Sequence, residues 1–314
     1  MPEGPLVYVV SSVSKSVYEF DLRRGRFLGP SRRFIWFNPD ALHGSCRCPG
    51  VLPYPLPGWP TVVSRDDSLP QAAAVVDGQL WVAGGDAHSL SSIPISKDGS
   101  LGQPTRVILP SIAVTLDPEA GGGTDQNHPS PEWVAATPDG NVVVLAPDNV
   151  GRYSDAVYLI DGRTHQILGS HQVPGGGALA IAATATAVVA MVTRELVILP
   201  RDLSRIERTI DLHPVGVVQR MVLVNENTAL VTVSQPAELV EVNLDDGSTR
   251  VLSALPGDPG SYDVITDGST AWWGLAKANE IRSVSLSDET TRMFKVCPGV
   301  QYLALRGLSV VATC

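Results

Sequence analysis

One plan returns six times along this chain at a spacing of roughly 43 residues, the length of a four-stranded repeat. An apolar strand is followed by a tight turn, two alternating strands, and a fourth strand that leads into a Gly/Pro-rich joint. Five copies run over Gln71 to Leu109, Glu132 to Val173, Ala178 to Leu212, Val217 to Leu255 and Ser261 to Val296. The first strand of each is apolar throughout, as expected of a strand packed on both faces at a crowded centre. The later strands alternate, as in Val157 to Asp161, Leu239 to Leu244 and Ile281 to Leu286, so each has one buried face and one wetter face. Asp77-Gly78, Asp139-Gly140 and Asp267-Gly268 fall between first and second strands, where a hairpin needs residues that tolerate positive φ. No long segment keeps a 3.6-residue apolar stripe. The period therefore predicts an all-β fold, a β-propeller, with few helices.

The sixth unit is divided between the ends of the chain. Gln301 to Gly307 and Leu308 to Cys314 read as an inner strand and its neighbour, and Leu6 to Ser12, Val17 to Leu22 and Gly25 to Gly29 read as later strands. Terminal strands sharing one blade would close the ring and protect it from fraying. Residues 34–68 are rich in proline and poor in alternation, and read as an insertion or a degenerate seventh blade. The continuous repeat predicts one domain over residues 1–314, with 44% hydrophobic residues to fill its core.

Charge and composition exclude some partners. A formal charge of −9, without basic clusters beyond Arg23-Arg24 and Arg32-Arg33, argues against nucleic acid. The most apolar run, Ala178 to Val192, is short for a bilayer and lies inside the blade pattern, so no membrane partner is expected. The sequence shows no secretory leader and no Asn-x-Ser/Thr acceptor, which favours the cytoplasm. Cys46 and Cys48 stand too close for an easy mutual disulfide and lack the second ligand pair of a zinc site. Cys297 and Cys314 fall in neighbouring segments of the closure, where the sequence leaves open whether they are bonded. No metal site and no cofactor are expected.

From Leu80 to Asp161 the chain resembles the lactonase family of propellers, which includes 6-phosphogluconolactonase and the carboxymuconate-lactonising enzymes. The segment Leu80 to Gly102 is similar to that family's strand, small-residue turn, strand and Asp-Gly-Ser-Leu-Gly ending, and Val7 to Gly29 is similar to its N-terminal strands. Asp125 to Asp148 resembles its histidine-bearing motif, with Gln126, Pro129 and Pro131 in register. The likeness covers about a third of the chain. It implies seven blades, which favours residues 34–68 as a shrunken blade. The family's two histidines fall on Ser130 and Glu132, and the nearby His128 is displaced by two residues, about 7 Å along an extended strand. The family's acid/base group is thus not carried over residue for residue.

Propeller ligands gather where the joints between blades converge on the axis. The polar residues ending those joints are Gln71, Glu132, Gln219, Arg220, Tyr262, Asp263, Gln301 and Tyr302. Glu132, beside Trp133, is a candidate general acid or base, His128 a candidate proton shuttle, and Arg220 a candidate fork for a carboxylate or enolate oxygen. Gln71, Gln126, Ser130, Trp133, Gln219, Tyr262, Gln301 and Tyr302 complete the candidate substrate-binding set. Each has a structural alternative: Glu132 paired with Arg220 or capping a loop amide, Arg220 sealing adjacent blades, the aromatics packing a core. The sequence favours a metal-independent enzyme that isomerises, cyclises or eliminates on a small organic substrate. A lactone hydrolase and a non-catalytic scaffold for protein binding are the alternatives. Oligomeric state is not legible.

Overall fold

A computed structural model describes residues 6–11, 16–21, 26–27, 32–33, 72–84, 88–97, 101–115, 124–126, 129–147, 154–174, 177–295, 302–306 and 309–313. These contain strands and turns, and no helix among them is long and apolar enough to cross a membrane. The chain divides into two compact units, Met1–Ala136 with Gly140–Gly176, and Thr137–Asp139 with Gly177–Cys314. The segment 34–68 and the cysteines lie outside the described residues.

The first unit opens with β1 (Leu6–Ser11), β2 (Ser16–Asp21), β3 (Arg26–Phe27) and β4 (Arg32–Arg33), in which β1, β3 and β4 all pair with β2. An antiparallel meander follows: β5 (Ala73–Val76), β6 (Gln79–Ala83), β7 (Ser89–Pro94) and β8 (Thr105–Ile108). A separate two-stranded ladder, β9 (Ala113–Thr115) with β10 (Thr124–Gln126), precedes the next meander of β11 (Trp133–Ala136), β12 (Asn141–Ala146), β13 (Ser154–Asp161) and β14 (Ile167–Pro174).

The second unit holds three more meanders of the same order. They are β15 (Ala178–Ala183) to β18 (Arg208–Asp211) through β16 (Ala187–Val192) and β17 (Glu195–Pro200), then β19 (Val218–Asn225) to β22 (Thr249–Leu255) through β20 (Thr228–Ser234) and β21 (Ala237–Asn243), and β23 (Ser261–Thr266) to β26 (Thr291–Lys295) through β24 (Thr270–Leu275) and β25 (Glu280–Ser285). A two-stranded sheet, β27 (Tyr302–Arg306) with β28 (Ser309–Thr313), ends it. All five meanders coincide with the repeats read from the sequence.

The turn chemistry acts as expected where it is tightest. Asp77 and Gly78 both take positive φ, 46° and 74°, the pair of left-handed residues that lets a two-residue hairpin follow strand twist. Each core forms where one meander packs on the next. In the first unit Trp81, Leu90, Val142, Val144, Tyr158 and Ile160 share a cluster, and the Tyr158 hydroxyl donates to the Pro110 carbonyl at 2.8 Å, which satisfies the one polar atom that this ring carries inside. In the second unit Val189, Met191, Leu196, Val231, Val240 and Val242 join two meanders, and Leu230, Leu239, Val264, Trp273 and Val284 join the next two. Trp272 and Trp273 take opposite faces of β24, as neighbours in a strand must. Trp273 is fully buried with its indole N–H on Ser261 Oγ at 2.7 Å, and Trp272 packs beside Ile281 and Leu303.

One expectation is corrected. The strands closed in on both faces are the second ones, since β6, β12, β16 and β20 bury nearly every residue. The first strands bury fewer: β5, β11, β19 and β23 keep many positions half-exposed. A second strand has a hydrogen-bonded neighbour on each side, and a first strand has one on one side alone, so it lies at the edge of its sheet.

Candidate active site on the inner strands of the second unit

Three successive first strands of the second unit break register at the same place. On β15, Ala178 lies opposite Val192 and Ala180 opposite Met191, so Leu179 is extra. On β19, Val218 faces Val233 and Arg220 faces Thr232, so Gln219 is extra. On β23, Ser261 faces Leu275 and Val264 faces Trp273, so Tyr262 and Asp263 share the space opposite Gly274. Such bulges bend a strand and re-aim its side chains, and they free backbone groups from the ladder. Freed carbonyls need other donors.

Two side chains supply them. Arg220 Nη1 donates to the Gln219 carbonyl at 2.8 Å and, at 3.5 Å, to the Leu179 carbonyl. The Thr232 hydroxyl donates to the Tyr262 carbonyl at 2.7 Å and accepts the Arg220 main-chain N–H at 3.1 Å. Gln219 Nε2 donates to Ser234 Oγ at 3.2 Å. The third bulge turns the Asp263 carboxyl toward β27, where Oδ2 accepts the Leu303 N–H at 2.8 Å, while Oδ1 accepts the Val264 N–H at 3.0 Å.

Asp263 retains some accessible surface, yet protein atoms crowd its carboxyl, and this burial pushes its pKa above the ordinary carboxylate value. The Leu303 amide, the Arg220 charge and the Val264 amide pull the other way, and burial outweighs them. The other described carboxylates with a displaced pKa move downward. Asp161 is held low by the Thr164 and Arg163 amides, Asp246 by the Ser248 side chain and amide, and Glu280 by Lys295. Those are turn and ion-pair carboxylates. A carboxyl that keeps its proton to higher pH near a guanidinium is suited to proton transfer.

The sequence-predicted residues separate by unit. In the second unit Arg220 and Gln219 belong to the bulge network, and Tyr262, a residue 36% exposed, contributes its carbonyl. Tyr302 opens β27 opposite Thr313. Arg220 thus carries the structural role of tying inner strands together, through carbonyls, as well as its electrostatic one toward Asp263. In the first unit Ser130 is buried with its N–H on the Pro147 carbonyl at 2.9 Å, Glu132 is half-buried with its N–H on the Leu145 carbonyl at 3.2 Å, and Trp133 is half-buried opposite Leu145. Gln126 lies in β10 opposite Ala113. Gln71, His128 and Gln301 lie outside the described residues. Asp263 was visible only as a polar joint end, and Thr232 gave a faint signal: it is a hydroxyl within the apolar run of β20, where the corresponding residues of β16 and β24 are Met191 and Gly274. Among the described residues no three His, Cys, Asp or Glu side chains gather as a metal cluster.

No family model matches the chain, and no curated protein matches its sequence. Solved structures do match. A catalytically inactive virginiamycin B lyase from Staphylococcus aureus, solved with quinupristin, is similar at a TM-score of 0.64 and 12% identity over 99% of this chain and 91% of that one. A candidate 6-phosphogluconolactonase from Bacteroides fragilis is similar at a TM-score of 0.56 and 13% identity, over 90% of this chain and 77% of that one. The Dos1 propeller is similar at a TM-score of 0.59 and 10% identity, over 95% of this chain and 70% of that one. The structural neighbours are β-propeller proteins, and at these identities the likeness speaks for the fold. The five four-stranded meanders are blades of that architecture.

Proposed function

We propose that this protein is an enzyme acting on a small organic substrate at the bulged ends of its inner strands, by acid/base-assisted elimination, isomerisation or cyclisation. Asp263 is the proton-transfer group and Arg220 the charge that offsets negative charge developing nearby. The observation that carries this reading is the Asp263 carboxyl, crowded by protein, raised in pKa and coupled to Arg220 on adjoining bulged strands. A buried acid of this kind offers a proton at the pH where an exposed carboxylate has none to give. The names of two structural neighbours, a lyase and a candidate lactonase, lie in the same range of chemistry. In this proposal Glu132 with Ser130, Trp133, Gln126, His128 and Gln71 on the first unit, and Gln301 and Tyr302 on the second, stay candidate site residues. The reaction needs no metal in this proposal, because the proton and the compensating charge both come from side chains.

The test is turnover of a panel of lactones, cyclic esters and polyenes by the wild type, Asp263→Asn, Arg220→Lys and Glu132→Gln. Asp263→Asn is expected to lower kcat by about a hundredfold or more, with loss of the limb of the pH profile that reports the acid. Full turnover by Asp263→Asn would remove Asp263 from the chemistry. Activity abolished by a chelator would overturn the metal-free part.

A further inference from the structure

Thr232 is fully buried within β20, a strand otherwise apolar inside, and its hydroxyl makes two bonds that belong to two different sheets. It accepts the Arg220 N–H of its own sheet, at the bulge of β19, and donates to the Tyr262 carbonyl of the next sheet, at the bulge of β23. Both partners sit beside the groups that the proposed chemistry uses: Arg220 itself, and Tyr262, whose following residue is Asp263. A bulge has no ladder to hold it at a defined depth, so a bond from a rigid neighbouring strand must do so. Thr232 is well suited to this. Its β-branched side chain is stiff about χ1 and is clamped by full burial, so its oxygen has little freedom to wander. The corresponding residues in the neighbouring sheets, Met191 and Gly274, carry no hydroxyl.

We propose that Thr232 is a positioning residue, whose buried hydroxyl locks the β19 and β23 bulges to one another and so sets Asp263 against Arg220 and the Leu303 amide. It touches no substrate; it acts through the two main-chain groups that it joins. The inference rests on the proposed role of the Asp263 site, but its test does not need the substrate.

The test uses the full chain and the proton as its probe. The Asp263 carboxyl is titrated by carbon-13 NMR in the wild type, Thr232→Val and Thr232→Ser. Valine keeps the shape and removes both bonds, so the β23 bulge loosens, water reaches the carboxyl, and the midpoint falls by about half a pH unit or more toward the ordinary aspartate value. Serine keeps the hydroxyl and holds the midpoint near that of the wild type. A Thr232→Val protein that melts earlier but titrates Asp263 at the wild-type midpoint would show a structural role only and overturn the proposal. If Thr232→Val does not fold, Thr232→Ser decides alone, with hydrogen exchange at the Arg220 amide read alongside: wild-type protection and midpoint support the link, and a moved midpoint with wild-type protection overturns it. Failure of the enzymatic reading shows separately, as undiminished turnover by Asp263→Asn.

Discussion

What sets Asp263 apart is the balance around its carboxyl. Turn aspartates such as Asp161 and Asp267 receive two amide hydrogen bonds in the open and are held low, so they support folding above the acid range and lose that support as pH falls through their depressed values. Asp263 has the opposite sign. Its folded pKa lies above the unfolded one, so the native state binds the extra proton between the two, and stability declines as pH rises through that window. Asp263→Asn removes this slope. Unfolding free energies of the two proteins measured from pH 4 to pH 8 should diverge, with the variant gaining on the wild type as pH rises. Parallel curves would show that the carboxyl is not desolvated. In the sequence, Asp263 was one of eight polar joint ends, because desolvation depends on which atoms crowd a carboxyl and not on its own identity. Arg220 was legible as a cation at a joint. Its bonds to Leu179 and Gln219 carbonyls were not, since they require knowing where the ladders slip.

At the scale of the strand, the sequence read well wherever period and turn chemistry agreed. All five meanders, the terminal pair β27 and β28, and the Asp-Gly hairpins stand where the repeat placed them. The ladder of β9 with β10 was missed, since three-residue strands are too short to show a period. Close approach of turns was equally hidden. Gly162, after β13, brings its Cα against the turn before β12, and a Cβ placed there would lie 2.2 Å from the Gly140 carbonyl oxygen. Its own carbonyl accepts the Gln79 side-chain amide at 3.2 Å, so the turn has little room to retreat. Gly162→Ala should therefore destabilise by about 2 kcal/mol or more, seen as an earlier urea midpoint at unchanged slope. A variant within a few tenths of a kcal/mol of wild type would mean that these turns yield easily.

At the scale of the molecule, each of the two compact units has its own core, built where one meander covers the next. In the second unit the meander of β19 to β22 shares one core with β15 to β18 and another with β23 to β26, so it cannot unfold without stripping an apolar face from both. Nearest-neighbour coupling of this kind makes the three meanders one cooperative body. Hydrogen exchange should then show the buried amides of β16, β20 and β24 opening together, with one common free energy. Val231→Ala, which cuts a cavity in the core that β20 shares with β16, should lower that free energy for all three strands alike, by about 2 kcal/mol. A loss confined to β20, with β24 still opening at its wild-type free energy, would mean that the meanders unfold one by one and that the Asp263 strand keeps its place without its neighbour.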